Sequence, residues 1–159
     1  MSTGFDLDRI GGDKGLRALE DIVRRAGDTA LKHFRKGVVP EKKPDRSPVT
    51  IADRGAEEII RKHVISAHPE ASFLGEETGT HGDGRGIRFI VDPIDGTRAF
   101  VRGWPTWSVL LGVEAEGVPV VGIAYMPAAE DFFVAVQGDG ATHNGSPVQV
   151  SKVASLADA

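Results

Sequence analysis

The run Asp92-Pro93-Ile94-Asp95-Gly96-Thr97 follows directly on the apolar stretch Ile87 to Val91, and an acidic pair, Glu76-Glu77, closes another short apolar stretch upstream. Carboxylates gathered at two strand ends repel one another by about 1 to 4 kcal/mol per pair at separations of a few ångströms. A divalent cation placed between them removes that cost, and hard oxygen donors of this kind suit Mg²⁺. On a continuing strand, residues three apart point to opposite faces, so Asp92 and Asp95 reach one ion only if the strand ends between them. Pro93, which lacks an amide donor and fixes φ, is the expected break. Gly96 then permits a turn, and Thr97 to Phe100 is expected to open a helix whose free amides attract an anion. Carboxylates for a cation beside amides for a phosphate form an arrangement for chemistry at a phosphoester. An Asp-Gly turn after a strand is common by itself; the whole run together with Glu76-Glu77 is what carries the reading. A phosphatase with an aspartyl nucleophile needs two aspartates one residue apart, facing the same way from a strand. Asp92 and Asp95 are separated by two residues, so that reading is set aside.

Something must hold these groups in place. The chain has 159 residues, enough for one domain of ordinary size with a substantial core. Nineteen basic against 23 acidic residues leave a net charge of -4 with no basic block, so nucleic acid is not implied as a partner. The absence of cysteine excludes disulfides, thiolate zinc sites and cysteine nucleophiles, and fits a reducing compartment. Met1 to Asp8 lacks the basic and apolar pattern of an export signal, and no apolar run is long enough to span a bilayer. A cytoplasmic protein without a membrane partner is expected.

Apolar residues from Leu16 to Phe34 recur at three- and four-residue steps and predict an amphipathic helix from about Asp13 to Lys36. A second helix is expected over Ile51 to Ala67, burying Ala56, Ile59, Ile60 and Val64 and stopped by His68-Pro69. Beyond it the texture changes to short β-forming runs: Ser72–Leu74, Arg88–Val91, Trp107–Glu114, Val118–Tyr125, Phe132–Val136 and Val148–Val150. Glu116-Gly117 and Asn144-Gly145 read as hairpin turns. The expectation is an α+β domain, two N-terminal helices packed on a mostly antiparallel sheet of about six strands. Gly79 to Gly86, with four glycines, is expected to be mobile; it lacks the ending of a nucleotide P-loop and receives no phosphate role.

Three segments together resemble a known family. Lys43-Pro44-Asp45-Arg46-Ser47-Pro48-Val49-Thr50-Ile51-Ala52-Asp53, Gly75-Glu76-Glu77 and the run from Asp92 to Thr97 are similar to the N-terminal signatures of the inositol monophosphatase family, and Gly140-Ala141, Asn144-Gly145 and Val150-Ser151 also fit its pattern. That family includes histidinol phosphatases, fructose bisphosphatases and nucleotide 3′-phosphatases. The resemblance implies the N-terminal half of the family's αβαβα fold, Mg²⁺ as cofactor in two or three ions, and inhibition by Li⁺. It implies that Glu76, Asp92 and the carbonyl of Ile94 hold one Mg²⁺, that Asp92 and Asp95 contribute to a second, and that a looser third ion reaches Glu76 through water. It further implies that Ile94, Asp95, Gly96 and Thr97 line the substrate phosphate, with the amides of Gly96 and Thr97 holding it. The Thr97 hydroxyl, bonded to Asp53, would orient the attacking water, and Glu76 would position or deprotonate it, without a phosphoenzyme. The implied substrate is a small phosphorylated alcohol, inositol monophosphate or histidinol phosphate. Arg98-Ala99-Phe100 and Gly103-Trp104-Pro105 look closer to the histidinol phosphatases. A homodimer is the implied assembly.

Plainer readings stand beside these. Asp53 follows Thr50 by three residues, a capping-box spacing that by itself explains a structural role, and the two roles are compatible. Glu77 reads as a solvated neighbour of Glu76. Lys43 matches a family lysine near the metals and equally reads as an exposed loop charge. Trp104 and Trp107 read as core or interface aromatics, and the five histidines lack metal-ligand spacing. The family's C-terminal α/β half carries a Trp-Asp signature whose aspartate completes the second metal site. No such signature lies in the sequence up to Ala159, and Asp158 stands in no matching context. Two function classes follow: a Mg²⁺-dependent phosphomonoesterase or its N-terminal portion, and a noncatalytic metal- or phosphate-binding module that acts through protein association.

Overall fold

Two spacings of apolar residues, helical in the first 67 positions and alternating thereafter, divide the fold into a helical layer and a sheet. The structure is a computed structural model, and it describes residues 5–37, 39–42, 48–155 and 157. After a 3₁₀ turn at Leu7–Ile10, helix α1 spans Gly12–Leu31 and buries Leu19, Ile22, Val23, Ala26 and Ala30. It stops five residues short of the predicted Lys36. The amides of His33, Phe34 and Lys36 bond three residues back, which tightens the chain and turns Phe34 into a cluster with Phe100 and Trp107. Strands β1 (Glu41–Lys42) and β2 (Pro48–Val49) form a small antiparallel pair. Helix α2, Ile51–Ala67, has the predicted bounds. Thr50 caps it by accepting the Ala52 amide, and His68 ends it ahead of Pro69.

The remaining elements are β3 (Ser72–Gly75), β4 (Gly79–His81), β5 (Ile87–Asp95), α3 (Thr97–Val101), β6 (Ser108–Ala115), β7 (Val118–Met126), β8 (Asp131–Val136), β9 (Gly140–His143) and β10 (Ser146–Val148). They form one eight-stranded sheet in the order β10-β9-β8-β7-β6-β5-β3-β4. All neighbours are antiparallel except β3 and β5, which run parallel. The α+β class holds, with eight strands in place of about six. One extra strand, β4, lies in the glycine segment expected to be mobile; it pairs back on β3 after a turn that includes Gly79 at φ +72°. The other, β9, lies in a stretch without strong β-formers and pairs with β8. The last strand is Ser146–Val148 rather than Val148–Val150. Asn144 and Gly145 both take positive φ, 48° and 78°, and form a two-residue hairpin that starts pairing at His143 and Ser146.

Alternation gives the sheet two unlike faces. Phe73, Phe89, Val91, Val109, Leu111, Val113, Ile123 and Phe132 are buried beneath α1 and α2. The alternate residues, among them Leu110, Gly112, Ala124, Phe133 and Ala135, line a shallow depression of about 420 Å³ on the other face. Among the described residues no helix is long and apolar enough to cross a membrane.

Candidate active site

The parallel pair sets the site. Leu74 stands beside Ile90 and Gly75 beside Val91, and the ladder extends one step further through the Glu76 amide, which donates to the Val91 carbonyl at 3.1 Å. The next side chains on the two strands, Glu76 and Asp92, therefore emerge together at the carboxyl ends of β3 and β5, where open sheets commonly bind ligands. Their carboxyl groups lie within hydrogen-bonding distance of each other.

Asp95 joins them by a different route from the one predicted. Strand β5 does not end at Pro93; it continues to Asp95, with its register against β6 shifting between Asp92, opposite Leu110, and Asp95, opposite Ser108. The shift is a β-bulge of one extra residue. It restores side-chain parity, so residues three apart share a face without a break in the strand. Asp92 is half-buried and Asp95 exposed. The Ile94 amide donates to Asp92 Oδ1 at 3.1 Å and fixes the orientation of that carboxyl group.

Beyond the bulge, Gly96 takes φ +85°, a conformation that disfavours any side chain, and a Cβ there would stand 3.0 Å from the Thr106 carbonyl. This turn starts α3, and no side chain caps the start of that helix. The Thr97 hydroxyl lies 3.2 Å from Asp53 Oδ1 and 3.0 Å from the Ile94 carbonyl. With one proton it donates to one of these at a time. Ile94 buries its side chain, and its carbonyl accepts from the Thr97 hydroxyl when that group turns away from Asp53.

Asp53 makes both contacts foreseen for it. Its Oδ2 accepts the Thr50 amide at 2.7 Å and the Thr50 hydroxyl at 2.6 Å, completing a capping box, while Oδ1 faces Thr97. Burial raises its pKa above the ordinary carboxylate value, and the bonds from Thr50 and Thr97 partly offset that rise.

A fifth acidic residue of the site was not foreseen. Glu57 is fully buried on α2, one helical turn after Asp53; its Oε2 accepts the Glu77 amide and its Oε1 the Thr78 amide, both at 2.8 Å. A signal for it existed in the sequence. Glu57 falls in the stripe Ala52, Ala56, Ile60, Val64 that α2 turns inward, and a charged residue in such a stripe must have partners.

Electrostatics distinguish the outer carboxylates from these inner ones. The Asp92 carboxyl is pushed up from 3.8 to about 7, first by burial, then by the hydrogen bond and charge of Glu76 and the charge of Asp95. Asp92 is the more buried partner, so it takes up the proton that such a pair must share when no cation lies between them. Among the described residues no group of three or more His, Asp or Glu side chains is arranged to hold a metal ion. What the structure brings together is the pair Glu76 and Asp92, with Asp95 within reach of their field. Two carboxylates and a main-chain carbonyl are hard oxygen donors, and this donor set fits a divalent cation such as Mg²⁺.

The inositol monophosphatase family model matches residues 13–159. The chain belongs to the inositol monophosphatase family. It is 42% identical over 135 residues to a histidinol-phosphatase of Chlorobaculum parvum, which covers 84% of this chain and 52% of that protein. It is 34% identical over 140 residues to inositol monophosphatase 1 of Solanum lycopersicum, covering 86% and 51%. The solved structure of a Thermotoga maritima IMPase superimposes with a TM-score of 0.84 at 30% identity, covering 90% of this chain and 56% of that one. The chain thus spans about half the length of the curated relatives it matches.

Other expected residues lie less centrally. Lys43 falls outside the described residues. Glu77 is half-buried rather than fully solvated, and its charge acts on Arg54. Trp107 is core, as expected, edge-on to Phe100. Trp104 is not: it is 56% exposed, with the Arg102 guanidinium 5.6 Å from its ring centre. The turn Gly103-Trp104 leads out of the short helix α3.

Proposed function

We propose that this chain supplies the metal and phosphate side of a Mg²⁺-dependent phosphomonoesterase acting on a small phosphorylated alcohol. The observation that carries this reading is the meeting of Glu76 and Asp92 at the ends of the parallel strands, beside the uncapped start of α3. Glu76, Asp92 and the Ile94 carbonyl would hold one ion, and Asp92 with Asp95 would contribute to another. A bound Mg²⁺ supplies neutralising charge for phosphate oxygens and lowers the pKa of a coordinated water.

The chain's own residues do the rest. The amides of Gly96 and Thr97 sit where a helix begins and receive phosphate oxygens. When the Thr97 hydroxyl donates to Asp53, its lone pairs are free to accept a hydrogen bond from a water poised for in-line attack on phosphorus. Asp53, buried and held by Thr50, keeps the hydroxyl in that orientation. Glu76, exposed at the mouth of the site, positions that water and accepts its proton. No side chain forms a bond to phosphorus.

Histidinol phosphate is the favoured substrate. The relatives named histidinol-phosphatase match at 42 to 44% identity against 34 to 35% for the tomato inositol monophosphatases. A homodimer, tested by sedimentation, belongs to the same proposal, as does a cytoplasmic location, with which the absence of cysteine is compatible. The deciding assay is phosphate release from histidinol phosphate and inositol monophosphate with Mg²⁺, with and without Li⁺. Release that Li⁺ suppresses and Asp92→Asn abolishes supports the proposal. Protein that binds Mg²⁺ yet releases no phosphate from either substrate points to a noncatalytic binding module.

A further inference from the structure

Glu57 is a buried acid with no part in the chemistry just described. We propose that it is a positioning residue: it fixes the turn Glu76 to Thr78 so that the Glu76 carboxylate meets Asp92, and it thereby sets the affinity of the site for a divalent cation. The proposal rests on reading Glu76 and Asp92 as a cation site.

Strand β3 ends at Gly75, so the residues that follow lose their ladder partners one after another. The Glu76 amide still has one, the Val91 carbonyl at 3.1 Å. The next two amides, of Glu77 and Thr78, both turn to Glu57, at 2.8 Å each. Three consecutive N–H groups are thus anchored on two elements, β5 and α2, and Glu76 begins the anchored stretch. Two convergent donors require two acceptor oxygens. A carboxylate supplies both, whereas glutamine would turn an NH₂ group towards one donor and aspartate would be one methylene short.

Gly75 shows how closely this contact is built. A Cβ at that position would lie 2.4 Å from Glu57 Oε1 and 2.7 Å from Oε2, so residue 75 cannot carry a side chain while the carboxylate keeps its place. Asp53 and Glu57 stand four residues apart on one face of α2. The first holds Thr97 and the second holds the turn of Glu76. One helix face therefore braces both sides of the site, and the spacing between its two acids fixes how far apart those sides stand.

The test is Mn²⁺ binding to the full chain, followed by electron paramagnetic resonance, with Mg²⁺ as competitor. Loss of a group that orients a metal ligand commonly weakens affinity by about 10- to 100-fold, and that loss is expected in Glu57→Gln with the circular dichroism spectrum retained. Gly75→Ala, which leaves Glu57 in the sequence but displaces it, should weaken binding in the same way and carries the test if Glu57→Gln does not fold. Val64→Ala, a core change in the same helix, should lower the melting temperature and leave Mn²⁺ affinity unchanged, the pattern that Glu57→Gln would share if its role were purely structural. Unchanged affinity in Glu57→Gln or Gly75→Ala, beside lost affinity in Asp92→Asn, would overturn the proposal and leave the cation site standing. Affinity unaltered by Asp92→Asn would overturn both.

Discussion

Two sets of carboxylates serve one site of this fold and are treated in opposite ways. Asp53 and Glu57 are buried, and each receives backbone amides on its oxygens. Glu76, Asp92 and Asp95 face one another at the strand ends, and burial and mutual repulsion drive Asp92 up to about 7. Hydrogen bonds to a charged group contribute about 1.5 to 3 kcal/mol each, so the donors on the inner acids offset part of the burial that raises Asp53 and tie these carboxylates to the fold. The outer acids cost stability when no cation is bound. A protein keeps such a cost only where a ligand removes it, so the contrast separates residues that build the site from residues that face its ligand.

The contrast can be broken most directly at Asp53. Removing its carboxylate in Asp53→Ala leaves the Thr50 amide and the Thr50 hydroxyl without their acceptor, while Thr97 keeps the Ile94 carbonyl, and a loss of about 2 to 3 kcal/mol in urea-unfolding free energy is expected. A loss too small to measure would mean the inner acids are not structural. The next effect is on pH dependence. Asp92 has a folded-state pKa raised above its unfolded value, so its contribution to stability is fully present below about pH 4 and is lost as pH rises through about 7. Without added metal, the melting temperature should therefore fall between pH 5.5 and 7 and level off above. Asp92→Asn should flatten that decline, and saturating Mg²⁺ should do the same, since the cation replaces the shared proton; a decline that persists in Asp92→Asn would place its origin elsewhere. The smallest effect is expected at Asp95. It is exposed and acts on Asp92 less strongly than Glu76 does, so Asp95→Asn should weaken Mg²⁺ binding less than Asp92→Asn in the same calorimetric titration. Equal losses would show that the bulge makes the two aspartates equivalent.

Much of this was legible from residue order, and the exceptions are instructive. Helix α2 could be bounded because its cap, apolar stripe and terminator, Thr50, Ile60 and His68-Pro69, all lie in it or directly beside it. Asp92 could be picked out because Pro93 and Gly96 mark a change in the chain next to it. The bulge at Pro93 could not, since a bulge is defined by the register of a partner strand, here β6, that a local pattern does not contain. β4 and β9 are held by neighbours more than by β-propensity, and their glycines read as loop. Glu57 was missed because its partners, the amides of Glu77 and Thr78, lie some twenty residues away, and main-chain donors leave no trace in a sequence. The sites that composition and spacing reveal are those whose partners are side chains nearby in the chain.

The central claim, that Glu76 and Asp92 repel each other until a cation joins them, is tested most directly by urea unfolding at pH 8 across a range of Mg²⁺ concentrations, for the native chain and Asp92→Asn. The two stability curves should cross: the variant is more stable without Mg²⁺, and the native chain gains with rising Mg²⁺, as expected for a ligand bound only by the folded state, while the variant does not. A native chain indifferent to Mg²⁺, or a variant that is less stable than the native chain without it, would contradict the account.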